Sequence, residues 1–146
     1  MTACPECGAA LADDSECRRL FDALLLLERD ASAADEAAHF LAVASYVLQH
    51  PDSMQYTVAA IQGVRESVQE FLSGRSSLAQ IRLRKRAANN GPQRVTRRED
   101  EAVFSWGVTN WPITVADVLA GGSLLFPTRV RAWAKSIVAA LQVDAA

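Results

Sequence analysis

The sequence predicts an all-α protein, a bundle of about five helices folded as one domain. Three observations predict it. Apolar residues recur at three- and four-residue steps along most of the chain, the spacing that lines one face of a helix. No stretch shows the apolar-polar alternation of a half-buried strand. The length of 146 residues, with 50% hydrophobic and 22% charged residues, is enough to bury one core without covalent staples.

The elements follow in order. Cys4-Pro5-Glu6-Cys7-Gly8 sets two thiols two residues apart, with a glycine that lets the backbone turn tightly beneath the sulfurs; this reads as a metal knuckle rather than a helix. A first helix over about Ser15 to Arg29 places Cys17, Leu20, Phe21, Leu24, Leu25 and Glu28 on one face, with Asp13, Asp14 and Ser15 as candidate caps. Asp30 to Ala34 forms a turn. The second helix, about Asp35 to His50, carries His39, Phe40, Val43, Tyr46, Val47 and His50, and Pro51 stops it because the residue before a proline avoids helical angles.

Asp52 or Ser53 is expected to cap a third helix reaching about Leu72, with Val58, Ile61, Val64, Val68, Phe71 and Leu72 as its apolar side. Ser76 to Ala88 is helix-capable but poor in apolar residues, and Asn89-Asn90-Gly91-Pro92 breaks it. Residues 89–101 read as a mobile loop. Phe104, Trp106 and Trp111 surround a turn, and Thr114 with Asp117 opens a short helix to about Leu119 that Gly121-Gly122 ends. Thr128 is expected to cap the last helix, in which Val130, Trp133, Ile137 and Leu141 form a seam to about Gln142. The single domain 1–146 thus divides into a knuckle (1–17), a three-helix core (18–72), a basic helix and loop (73–101) and C-terminal helices (102–146).

Completing the metal site is a problem with few solutions, because Cys17, His39 and His50 are the only other cysteine and histidines in the chain. An antiparallel hairpin of the first two helices, centred near residue 32, puts position 17 opposite roughly position 47 at about 1.5 Å of rise per residue. His50 is then offset from Cys17 by about 4 to 5 Å and His39 by about 12 Å. The expected ligands are Cys4, Cys7, Cys17 and His50 around a structural zinc, a closed tetrahedron with no position left for water. Redox-active thiols and incidental free cysteines are the alternatives. A thioredoxin-like pair follows a strand, however, and only three residues precede Cys4.

Several function classes lose support. No apolar run approaches the roughly 20 residues that cross a bilayer, and the chain starts without a charged and apolar secretory leader, so a cytoplasmic protein with no membrane association is expected. The net charge of -2 hides an uneven distribution: nine acids lie in residues 1–36, whereas Phe71 to Arg98 holds no acid and eight cations, Arg75, Arg82, Arg84, Lys85, Arg86, Arg94, Arg97 and Arg98. Such a segment faces phosphate, an acidic partner or the chain's own acids. Aromatics are absent from 72–103, which leaves no stacking platform for single-stranded nucleic acid, so a solvated or protein-facing surface is preferred.

An enzyme also lacks a signature, since neither GxSxG, HExxH nor a phosphate-cradling loop is present. Were there catalysis, a cleft near His39 and Tyr46 is its expected place. The plainer reading of His39 is a histidine hydrogen-bonded between helices or partly solvated. The expected function is therefore a zinc-stabilised binding or regulatory module with an unknown protein partner, with a nucleic-acid-associated protein using 75–98 and a small metal-containing enzyme with a cleft near His39 as alternatives.

Cys4-Pro-x-Cys-Gly-Ala, Cys17 with Phe21 and the Leu24 to Glu28 run, His39, and the Tyr46-Val-Leu-Gln-His-Pro51 segment together resemble a bacterial family of uncharacterised small proteins. Members of that family are similar in opening with CPxCGA and carrying Y-x-x-Q-H-P. Trp111-Pro-Ile-Thr-Val-Ala-Asp117 and the tryptophan of the last helix extend the likeness over most of the chain, 75–101 matching least. The resemblance implies no established activity. It does imply that Cys4, Cys7, Cys17 and His50 act as one constellation, and it leaves the place of His39 open.

Overall fold

Apolar spacing along the chain resolves into six helices and one small hairpin among the described residues. The computed structural model describes residues 2–12, 16–31, 36–89, 94–108 and 110–144. The expected caps Asp13, Asp14 and Ser15, the turn residues 32–34 and the breaker Asn90-Gly91-Pro92 lie outside them. Strands β1 (Thr2–Ala3) and β2 (Ala10–Leu11) pair antiparallel, Thr2 opposite Leu11 and Ala3 opposite Ala10. The sequence reading missed this hairpin for a physical reason. Two residues per strand are too few for a period of two to appear.

Helices α1 (Cys17–Asp30) and α2 (Glu36–Gln49) follow. From Leu41 onward α2 is buried nearly all round, because Ala42, Ala44 and Ser45 are small enough for neighbours to approach its backbone. It is the central rod, packed against α3 (Val58–Leu72) and α6 (Gly122–Asp144), while α4 (Leu78–Asn89) rests on α3 and α5 (Val115–Ala120) joins α1 to α6. Leu24, Leu41, Leu48, Ile61, Phe126, Val130, Trp133 and Ile137 fill the core between these helices. Each such side chain contributes about 1.5–3 kcal/mol when fully buried. The seam expected on the last helix is thus fully inside. No helix among the described residues is long and apolar enough to cross a membrane.

Two helix starts differ from expectation. The third helix begins at Val58 with Thr57 as its cap, whose hydroxyl accepts from Ala60 N at 3.2 Å, and not at Asp52 or Ser53. Residues 51–55 instead form turns: Met54 N donates to His50 O, and Gln55 N donates to Asp52 O. The last helix starts at Gly122, so Thr128 is interior and Pro127 lies within the helix. Proline there sacrifices the hydrogen bond to the carbonyl four residues earlier, a cost that the burial of Phe126 and Val130 on either side offsets. The short helix expected to about Leu119 is present as α5, and the helix-capable stretch from Ser76 is a full helix, α4, which makes six helices where about five were expected.

Residues 94–97, within the stretch expected as a mobile loop, are tied to 55–57. Thr57 N donates to Val95 O at 2.8 Å, Arg97 N to Gln55 O at 2.6 Å, and Tyr56 bridges Thr96. At the other end Asp117 accepts from Thr114 N at 2.8 Å, closing the start of α5. Trp106 donates its indole N–H to Leu48 O at 2.9 Å, pinning the long approach to α5 against the end of α2.

Candidate metal centre

The hairpin shapes the first half of the site. Cys4 N donates to Ala9 O and Gly8 N to Cys4 O, both at 2.8 Å, and this tight loop needs the left-handed φ of +84° that glycine adopts without strain. Ala9 N then lies 3.5 Å from Cys7 Sγ, aimed at the sulfur. Both sulfurs turn inward, so that Cys4 and Cys7 are buried.

The other half comes from two helix ends. Cys17 is the first residue of α1, where the positive end of the helix dipole favours a thiolate. His50 follows the last residue of α2, and its Nδ1 donates to Tyr46 O at 2.7 Å, which leaves Nε2 as the free ligand atom. Tyr46 is stacked between Phe21 (4.2 Å between centroids, 7° between planes) and the His50 ring (3.9 Å, 19°). The imidazole therefore has a fixed plane as well as a fixed tautomer.

The four ligand atoms of Cys4, Cys7, Cys17 and His50 all lie within 4.8 Å of one another, and all four residues are buried. Cys7 Sγ is 3.7 Å from Cys17 Sγ, and Cys4 Sγ is 3.6 Å from His50 Nε2. A tetrahedral zinc with Zn–S of about 2.3 Å and Zn–N of about 2.0–2.1 Å requires edges of about 3.8 Å between sulfurs and about 3.6 Å between sulfur and nitrogen. A disulfide needs about 2.05 Å, and the three cysteines are free. The donor set thus fits one thiophilic divalent ion.

Electrostatics give the same answer. Hydrogen bonds from Cys17 and Cys7 hold the Cys4 thiol far below its ordinary range against the effect of burial. Cys17 is pushed far up by its place beside Cys4 and Cys7 and by burial. Burial opposes charge on His50, yet Cys4, Cys7 and the Tyr46 carbonyl outweigh it and hold the imidazole up to about 10. Without a metal, thiolate charge is favoured at Cys4 beside the His50 imidazolium and opposed at Cys17. A divalent cation removes that opposition at Cys17.

Glu6, between the two cysteines, locks the knuckle down. Its carboxylate accepts from Asp52 N at 2.9 Å and Ser53 N at 3.2 Å, and its carbonyl accepts from Trp111 Nε1 at 3.1 Å. Glu6→Ala removes two charge-assisted bonds and is expected to cost about 1 kcal/mol in urea unfolding. The same change is expected to speed metal loss to a chelator, whereas a side chain that merely decorates the turn leaves both readings unaltered.

A profile for a family of unknown function (DUF5946) matches residues 2–142. The chain belongs to that family. No curated protein and no solved structure matches it.

In this DUF5946 member His39 stands apart from the four-residue cluster. It is half exposed, and its Nδ1 lies 2.8 Å from Glu28 Oε2 across the α1–α2 hairpin. It also lines a cleft of about 390 Å³ between α2, α3, α4 and Arg94-Val95, whose walls include none of Cys4, Cys7, Cys17 or His50. The cleft that His39 lines is thus separate from the metal cluster, and Tyr46 is not among its walls.

Half of the cations of the basic segment are paired within the chain. Arg82 meets Glu36 at 2.9 Å, Arg84 meets Glu70 at 2.5 Å, Arg97 meets Asp52 at 3.1 Å, and Arg94 pairs with Glu101. These arginines hold the Glu70 and Glu101 carboxyls below their usual range. Arg75, Lys85, Arg86 and Arg98 form no ion pair among the described residues.

Two supporting residues escaped the sequence reading. Gln49 is fully buried, donating to Ile113 O at 2.8 Å and accepting from Trp133 Nε1 at 3.1 Å. Glu6 is the other. Their positions beside His50 and inside the cysteine pair were the available signal.

Proposed function

We propose that the protein is a zinc-clamped helical binding module, in which Cys4, Cys7, Cys17 and His50 hold a structural zinc that fastens the N-terminal hairpin to the start of α1 and the end of α2. The observation that carries this is the agreement of the 3.7 Å and 3.6 Å separations with the edges of a tetrahedral zinc site. Four protein ligands leave the ion no open position, so its work is to fix structure. Such thiolates persist in a reducing compartment, which supports the cytoplasm as the place of action. A phosphate-binding role for residues 75–98 has less support, because Arg82, Arg84, Arg94 and Arg97 already engage carboxylates of the chain.

Elemental analysis of the purified chain tests the reading. One zinc per chain is expected, retained in His39→Ala and lost in Cys4→Ser, Cys7→Ser, Cys17→Ser and His50→Ala. Cobalt replacement is expected to give the strong visible absorption of a tetrahedral thiolate site. Retention of zinc by His50→Ala together with its loss from His39→Ala sinks the assignment.

A further inference from the structure

We infer that the cleft between α2, α3 and α4 binds an amphipathic anion, an alkyl chain ending in a carboxylate or a phosphate. Its inner surface is hydrocarbon: Phe40, Val43 and Val47 project from α2, Val64 from α3 and Ile81 from α4. Phe40 and Val43 are only partly covered although they lie on the helix that forms the centre of the core. About 390 Å³ falls in the size range of small-ligand pockets.

The wall on α3 is built to make room. Ala59, Gly63 and Ser67 recur at four-residue steps and all line the cleft. A Cβ added at Gly63 meets no atom within 4 Å, and that glycine has no left-handed backbone angle to explain it. Mid-helix glycine is disfavoured relative to alanine, so neither packing nor strain calls for it here. Its effect is to deepen the cleft.

The rim carries the charge. His39, Arg82, Arg84, Lys85 and Arg94 line the cleft against one carboxylate, Glu66. His39 is hydrogen-bonded to Glu28, and three of the four Lys and Arg side chains are partnered, Arg82 by Glu36, Arg84 by Glu70 and Arg94 by Glu101. Lys85 is exposed and makes no ion pair among the described residues, so its ammonium is available beside an apolar trough. An apolar tail for the trough and an anionic head for Lys85 is the ligand chemistry that satisfies both.

Titration calorimetry on the full chain as purified, below the critical micelle concentration, tests this with octanoate, decanoate, decyl phosphate and decyltrimethylammonium. Saturable one-to-one binding of decanoate or decyl phosphate is expected, and whichever binds more tightly identifies the head group. Where the carboxylate binds, two added methylenes from octanoate to decanoate tighten it roughly tenfold. Gly63→Leu fills the trough and is expected to weaken binding at least about tenfold without lowering the melting temperature, since leucine is the better helix former. Lys85→Glu, at an exposed position that leaves folding intact, is expected to weaken both anions several-fold. Absence of saturable binding for both anions, equal binding of the cationic amphiphile, or unchanged affinity in both variants overturns the inference.

Discussion

Removing the metal with a strong chelator is expected to release the N-terminal hairpin and lower the melting temperature by roughly 10 °C, while leaving most helical circular dichroism in place. The hairpin has little of its own to hold it. Its ladder joins two residues to two, and Cys4, Cys7, Ala9 and Leu11 are its buried residues. An isolated hairpin of this size is marginal in water. Without an ion, the buried cluster of three thiols and an imidazole must carry its charge uncompensated or become protonated, and neither alternative ties the hairpin to Cys17 and His50.

The core built from Leu41, Leu48, Ile61, Phe126, Trp133 and Ile137 does not depend on these contacts. Zinc binding in small fingers is worth about 10–16 kcal/mol because the whole fold is at stake. Here only one end is at stake, and a loss of about 3 kcal/mol or more is expected. Thermal unfolding before and after chelation, with zinc added back, measures it. Hydrogen exchange is expected to speed up over residues 2–12 and 50–54 and to stay slow in α6. Because every ligand binds in its deprotonated form, acidification is expected to reproduce the effect, with zinc retention falling as pH falls. An unchanged melting temperature after verified metal loss refutes the clamp.

How much of this was legible in the sequence depended on whether the determining signal was local. Cys17 and His50 came within reach of each other because an antiparallel pair of helices obeys a fixed rise, so counting residues around one turn was enough to favour His50 over His39. Thr114 and Asp117 were legible for the same reason, since a helix start is written in four consecutive residues. Thr128 misled because threonine is a preferred helix cap in isolation, and only the burial of Phe126 and Val130 on either side shows that the helix continues through it. Asp52 and Ser53 misled in a related way. They are good caps in isolation, but their backbone N–H groups are engaged by Glu6, forty-six and forty-seven residues earlier in the chain. The cleft was illegible for a third reason: it is made by small residues on α3 set opposite α4, and the packing of helices has no short-range signature.

Gln49→Leu is expected to cost about 3 kcal/mol, as much as removing the metal, although the change is close to isosteric and makes the core more apolar. The buried amide joins three parts of the fold: it sits at the end of α2, donates to the carbonyl of Ile113 just before α5, and accepts from the indole of Trp133 in α6. Trp133 is 0% exposed and Gln49 1% exposed, so leucine would strand the indole N–H with no water to replace its partner, and would also remove the donor to the partly buried Ile113 carbonyl. Each stranded group costs about 1–3 kcal/mol. The stranded indole together with the lost bond to Ile113 O therefore outweighs the gain from burying leucine.

A double-mutant cycle separates the two. With Trp133→Phe in place the indole N–H is gone, and Gln49→Leu is expected to cost about 1–2 kcal/mol less than in the native background. Equal costs in both backgrounds would show that the Gln49–Trp133 bond contributes nothing. Gln49→Glu adds a test by pH. The introduced carboxylate can accept from Trp133 but repels Ile113 O when ionised, whereas its protonated form can donate to that carbonyl. Burial raises its folded-state pKa above the unfolded value, so its stabilising contribution is fully present below the unfolded pKa and is lost as pH rises through the folded one. The Gln49→Glu protein is accordingly expected to fall further below the native chain in stability on going from mildly acidic to neutral pH. A difference independent of pH would mean that the residue does not face the Ile113 carbonyl in solution.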